Sequence, residues 1–151
     1  MKSKFKSKSK KDTRSLAKLL AEEILMTLPN TNALVVALTG ELGSGKTTFT
    51  KALLWAMGVK GRVVSPTFIF SRRYRSRLKS YKDIWHFDVY RLNLGKGIKE
   101  IGLKEAINNP QNLVLIEWAE KVKGILSRGT IWVEFKHGVK SNERHITFNR
   151  R

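Results

Sequence analysis

A chain of 151 residues, 41% hydrophobic and 28% charged, is the size and composition of one ordinary globular domain, long enough to bury a core and too short for two. Having no cysteine excludes disulfides, thiolate metal sites and thiol nucleophiles and suits a cytoplasmic setting, and its apolar stretches are too short for a membrane span or a secretory signal. The formal net charge of +18 is the outlying number, and it excludes an acidic surface while inviting a polyanionic partner.

In chain order, residues 1–11 alternate Lys with Ser or Phe and are predicted to be a disordered basic tail; across residues 1–18 eight basic side chains face only Asp12. Order is expected from Asp12 or Thr13, either of which can cap a helix with Leu16, Leu19, Leu20 and Ile24 on one face and a stop at Pro29-Asn30. Residues 33–38 are continuously apolar and run into a glycine loop, as a strand buried on both faces of a parallel sheet does. Residues 47–57 read as a helix closed by Gly58, and residues 62–64 as a brief strand before Ser65-Pro66. Strands are expected at 68–70 and 84–89, as a long hairpin whose exposed end is a basic insertion at about 72–82, where six basic residues face no acid. Residues 98–107 are helical with an interruption at Gly102, and Asn108-Asn109-Pro110 is a turn. A second buried strand at 113–116 ends in Glu117-Trp118, and two late strands, 131–135 and 145–148, flank a polar turn around Gly138. Strands alternating with helices predict a single α/β domain over residues 12–151, with a mostly parallel central sheet flanked by helices and some antiparallel strands.

The chemistry sits in the glycine loop. Gly40-Glu41-Leu42-Gly43-Ser44-Gly45-Lys46-Thr47 matches G-x-x-x-x-G-K-[ST] at every fixed position, between a buried strand and a helix. Glycines let consecutive N–H groups turn inward onto phosphate oxygens, and the following helix presents its positive end to the same anion. Glu41, Leu42, Gly43, Ser44, Gly45, Lys46, Thr47 and Thr48 are therefore expected to hold ATP, with Lys46 on the β- and γ-phosphates and the Thr47 hydroxyl on Mg²⁺. Glu117 emerges at the carboxyl end of a central strand, where it is read as the second Mg²⁺ support. Two further clusters, Ser65-Pro66-Thr67-Phe68 and His86-Phe87-Asp88-Val89-Tyr90-Arg91, are weak taken singly: Thr67 reads as a turn hydroxyl, His86 as a surface or hydrogen-bonded histidine, Tyr90 as a core ring and Arg91 as an ion-pair partner of Asp88.

Taken in order, the four clusters, phosphate loop, S-P-T-F, H-F-D-V-Y-R-L and E-W-A-E, resemble the bacterial TsaE (YjeE-type) ATPases of tRNA threonylcarbamoyladenosine biosynthesis. The resemblance runs from the first helix to the last strand and leaves out residues 1–11 and much of 72–82. It implies a P-loop NTPase fold and an ATPase working with TsaD- and TsaB-type proteins to install threonylcarbamoyl on the adenosine beside the anticodon. It further implies Thr67 in a switch-like loop near the γ-phosphate, Asp88 near the attacking water, Glu117 on Mg²⁺ and Trp118 close to the site. Family members are not typically so basic, and the tail and the arginine segment read as additions that contact tRNA. Two other readings compete: a small-molecule P-loop kinase with Arg72, Arg73, Arg75 and Arg77 as its lid, and a non-enzymatic RNA-binding module keeping the loop as scaffold. A GTPase is disfavoured by the lack of an N-K-x-D motif and of a D-x-x-G after a strand.

Overall fold

The computed structural model describes residues 2–27, 31–93 and 97–150. In chain order its elements are β1 (Lys2–Ser7), α1 (Lys10–Met26), β2 (Leu34–Gly40), α2 (Lys46–Ala56), β3 (Ser71–Arg75), β4 (Asp83–Asp88), α3 (Gly97–Glu100), α4 (Leu103–Asn108), β5 (Asn112–Glu117), a 3-10 segment (Ala119–Ile125), β6 (Ile131–His137) and β7 (Arg144–Arg150). The strands form one seven-stranded sheet in the order β1-β7-β6-β2-β5-β4-β3. β2 pairs in parallel with both β5 and β6, and β4 in parallel with β5, while β1, β7 and β3 attach antiparallel.

The central strands are apolar without interruption because both faces of the sheet are covered. Leu34, Val36 and Leu38 of β2 and Leu113 and Leu115 of β5 join a core with Leu20 and Ile24 of α1 and Phe49, Leu53 and Leu54 of α2. The alternate residues Val35, Ala37, Val114 and Ile116 join a second core with Leu103, Ala106 and Ile107 of α4 and Val122. Leu19, expected on the inner face of the first helix, is 58% exposed, and Ala17 and Ala21 are buried instead. The expected helix stop at Pro29-Asn30 lies outside the described residues.

Residues 2–11 are not a free tail. The Lys/Ser/Phe alternation has the period of a strand, and β1 pairs along its whole length with β7, from Lys2↔Asn149 to Ser7↔Arg144. Its odd residues turn toward α1, where Phe5 packs edge-on against Phe148 at 5.5 Å and the Ser7 hydroxyl meets that of Thr13 at 2.8 Å. Local propensity pointed to disorder; the open edge of β7 supplies the pairing that six residues cannot supply alone. The first helix correspondingly starts earlier than expected. Ser9 is its cap, accepting from the Asp12 N–H at 3.0 Å, while the Asp12 carboxylate accepts from the Lys8 N–H at 2.8 Å and is held below its ordinary pKa by that bond.

The arginine segment is likewise part of the fold. Arg72, Arg73 and Arg75 lie on β3, the opposite edge of the sheet, and Arg73 and Arg75 reach the Asp83 carboxylate at 3.0 and 3.7 Å. Tyr81 is buried and Tyr74 half-buried against the α2-side core, so the expected hairpin forms with its strand displaced into the basic residues. Residues 68–70, expected as that strand, are a turn, and residues 62–64, expected as another, make no ladder.

Candidate functional site

The site is built where β2 hands the chain to α2. Gly40 ends the strand at φ +134°, and a Cβ there would stand 2.3 Å from the Phe135 carbonyl oxygen on β6, so only glycine lets the two strands approach. Gly45 caps α2 at φ +104° without a side chain, leaving the helix's first N–H groups facing the loop. Lys46 follows and is buried: its ammonium donates to the carbonyl oxygens of Gly40 at 2.5 Å and Glu41 at 2.8 Å, contacts Ser44 Oγ at 3.4 Å, and sits 4.0 Å from the centre of the Trp118 ring. Burial pulls its pKa below the ordinary lysine value, against the opposing charges of Glu117, Glu120 and Asp88. From outside, Arg144 Nη2 donates to the Gly43 carbonyl at 3.1 Å, fixing the loop to the β6–β7 turn.

Sheet register delivers the acids. Leu38, Glu117 and Asp88 are neighbours across β2, β5 and β4, so both carboxylates stand level with the end of the strand that opens the loop. Glu117 Oε2 accepts from the Thr47 hydroxyl at 2.9 Å, and Oε1 lies 2.9 Å from His86 Nε2, in a pair buried on both sides. Asp88 Oδ2 accepts from the Thr67 hydroxyl at 2.9 Å and Oδ1 from the Tyr90 N–H at 3.0 Å. Because the Thr67 proton is committed to Asp88, the Ser65 hydroxyl, 2.9 Å from Thr67 Oγ1, donates to it, making a relay from Ser65 to Thr67 to Asp88. Trp118 is held at φ +62°, rare for a bulky residue, with its ring 4.6 Å from that of Tyr90.

A cleft of about 470 Å³ is lined by Leu42, Gly43, Ser44, Gly45, Lys46, Thr47, Thr48, Thr67, Asp88, Glu117 and Trp118, joined by Tyr90 and Arg91. Glu41, the remaining expected residue, contributes its carbonyl to Lys46. For a divalent cation the donors at hand are the hydroxyl and carboxylate oxygens of Thr47 and Glu117. Among the described residues no group of three His, Asp or Glu makes a closed cage. A few hard oxygen donors on one side, with room for phosphates and water, is the set that suits Mg²⁺.

Three readings change. Arg91 does not pair with Asp88; its guanidinium lies over the Phe68 ring at 4.5 Å, on the cleft wall. Arg72, Arg73, Arg75 and Arg77 are not among the cleft-lining residues, which removes the support for a kinase lid. Tyr90 is not a core ring but is 40% exposed on the cleft wall, while of the two readings of His86 the hydrogen-bonded one holds, the ring being fully buried against Glu117. Sequence reasoning also missed a second cleft of about 320 Å³ that shares Gly43, Gly45 and Thr48 with the first and is bounded by Ser9, Lys10 and Thr13 on one side and Ser141, Asn142 and Arg144 on the other. No local signal announces it, because it forms only when α1 and the β6–β7 turn meet over the loop.

Comparisons with known proteins agree with this architecture. The family model described as "Threonylcarbamoyl adenosine biosynthesis protein TsaE" matches residues 7–146. Among curated relatives, the tRNA threonylcarbamoyladenosine biosynthesis protein TsaE of Rickettsia conorii is 37% identical over 90% of this chain and 71% of its own length. That of Haemophilus influenzae is 38% identical over 76% of this chain and 70% of its own, and that of Bacillus subtilis 32% identical over 96% and 84%. Among solved structures, Bacillus subtilis YdiB superposes with a TM-score of 0.73 at 30% identity, covering 98% of this chain and 84% of that one. With its P-loop between a central parallel strand and a helix, and with sequence and structural relatives that span nearly the whole chain, the protein belongs to the TsaE family.

Proposed function

We propose that the protein is a Mg²⁺-dependent ATPase that serves the threonylcarbamoylation of tRNA adenosine; the names of its relatives state tRNA threonylcarbamoyladenosine biosynthesis for them, and the ATPase is read from the site. The observation that carries the reading is the convergence of Lys46, Thr47, Thr67, Asp88 and Glu117 on one cleft at the carboxyl ends of the parallel strands.

The triphosphate lies along the loop with its γ-end at Lys46, which exchanges the Gly40 and Glu41 carbonyl oxygens for phosphate oxygens without leaving its burial site. The nucleoside end leaves past Thr48 into the second cleft, between the start of α1 and the β6–β7 turn. Bound Mg²⁺ would neutralise charge developing on the phosphoryl oxygens, held by the Thr47 hydroxyl and by Glu117. Asp88, fixed through both oxygens by Thr67 and the Tyr90 N–H, turns its remaining lone pairs to the cleft and orients the attacking water there. Arg91, the arginine among the cleft-lining residues, rests on Phe68. Turnover by the isolated chain is therefore slow and rises when TsaD- and TsaB-type partners add or move a cation toward the γ-phosphoryl, an effect worth about 10³-fold or more.

The experiment is ATP hydrolysis measured with and without Mg²⁺, first alone, then with tRNA, then with the TsaB- and TsaD-type proteins of the same organism. Release of ADP and phosphate that needs Mg²⁺ and rises with the partners is expected. Phosphoryl transfer to a small acceptor, or no Mg²⁺-dependent ATP binding at all, overturns the reading.

A further inference from the structure

We propose that His86 is a positioning residue for the metal side of the site, holding Glu117 in the one orientation from which its Oε2 serves a nucleotide-bound cation. The inference rests on the Mg·ATP reading above and adds to it a side chain that does not line the cleft.

On the face of the sheet turned to α2, β4 presents Ile84, then His86, then Asp88, and β5 presents Leu113, Leu115 and Glu117. His86 pairs in register with Arg72 of β3 and Leu115 of β5, so it is the first polar group behind the two carboxylates and is wholly buried there. Its Nε2 meets Glu117 Oε1 at 2.9 Å while Glu117 Oε2 takes the Thr47 hydroxyl at 2.9 Å. An ionised carboxylate only accepts, so the proton of the first contact sits on Nε2.

The Thr47 contact alone does not set the carboxylate plane, because the terminal torsion of a glutamate is broad and two-fold. The second oxygen, anchored to a donor on a rigid central strand, selects one setting. It also keeps Oε1 from turning toward Lys46, whose ammonium shares the cleft. An apolar side chain would fill the same place without stranding a ring nitrogen, yet His86 Nδ1 is buried without a partner among the described residues. What the imidazole contributes over such a side chain is the Nε2 donor.

The test uses the full chain and a non-hydrolysable ATP analogue, AMPPNP, with binding followed by calorimetry in EDTA and across a Mg²⁺ titration. His86→Leu and His86→Asn, which cannot reach Oε1 with a donor, should weaken the apparent Mg²⁺ affinity in the presence of AMPPNP about 10- to 100-fold, as loss of an outer-shell partner does. Their AMPPNP affinity in EDTA should stay at the wild-type value. His86→Gln, whose amide nitrogen can stand where Nε2 stands, should restore the Mg²⁺ dependence. If His86→Leu does not fold, as judged by thermal melting, the Asn and Gln variants carry the comparison. Folded Leu or Asn variants with wild-type Mg²⁺ dependence overturn the proposal, as does an equal loss of affinity with and without Mg²⁺, which marks His86 as a support of the loop. If wild type binds AMPPNP with no Mg²⁺ dependence, the Mg·ATP reading fails first and takes the inference with it, a result visible before any variant is made.

Discussion

Lys46 is held by oxygens of its own loop and by the face of Trp118, so a phosphate entering the cleft competes with contacts already made. Lys46→Ala is expected to weaken ATP by about 2–4 kcal/mol, the scale of a partly buried charge-assisted contact, and ADP by less, because the side chain reaches furthest at the γ-end. Calorimetry with both nucleotides checks this, and equal ATP affinity in wild type and variant removes Lys46 from the site. Asp88 poses the separate question of chemistry. Asp88→Asn keeps an acceptor for the Tyr90 N–H and can donate from its amide to the Thr67 hydroxyl, but it cannot take a proton, so nucleotide affinity should persist while turnover with partners falls roughly 10²-fold or more. Wild-type turnover would make Asp88 a strut for the loop around Thr67.

Two elements carry predictions, and the first is one that a free basic tail would not make. β1 closes one edge of the sheet and seats Phe5 against Phe148. Removing residues 2–7 therefore strips a ladder and part of the cover over α1, with an expected loss of about 1–3 kcal/mol after the ordering entropy of those residues is returned. Chemical denaturation gives the answer; a free tail would leave the midpoint unmoved. At the other end of the same scale, the turn out of β2 tolerates no Cβ. Gly40→Ala adds an atom facing the Phe135 carbonyl at 2.3 Å and a strained φ, and should cost upwards of about 3 kcal/mol and nucleotide binding with it, read from the same unfolding curves.

Across the whole molecule three residues of each basic block, Lys2, Lys4 and Lys6 and then Arg72, Arg73 and Arg75, lie on the two edge strands. Six strand spacings separate them, about 29 Å, several screening lengths at physiological salt. Lysines and arginines on sheet edges oppose edge-to-edge association, and this explains the charge without a partner. We propose that they also bind the tRNA backbone. The expected signature is a steep fall of RNA affinity with salt, flattened additively when Lys2, Lys4 and Lys6 or Arg72, Arg73 and Arg75 are changed to Ser, since the edges do not sense each other. ATP affinity should hardly respond. If neither set changes the salt slope, edge protection is the whole purpose of the charge.

The sequence by itself determined the parts whose signal is local. A phosphate loop announces itself by glycines at fixed offsets, because backbone conformation is decided within the loop, and the buried strands announce themselves by unbroken apolar runs. Hence Lys46, Thr47 and Glu117, read from spacing and position alone, stand together in one cleft, and the family resemblance added Thr67, Asp88 and Trp118 to it. Tertiary structure decided whatever depends on what a segment meets. Lys-Ser-Lys-Phe-Lys-Ser has too little apolar surface to fold alone and reads as disorder until β7 offers a ladder, and 72–75 reads as a solvated loop until β4 pairs with it and Asp83 takes its arginines. His86 passes for an ordinary histidine, because 31 residues of chain separate it from the carboxylate it touches, and only the parallel pairing of β4 with β5 closes that gap to 2.9 Å. Side-chain roles of this kind are set by register between distant strands, which no single stretch of sequence encodes.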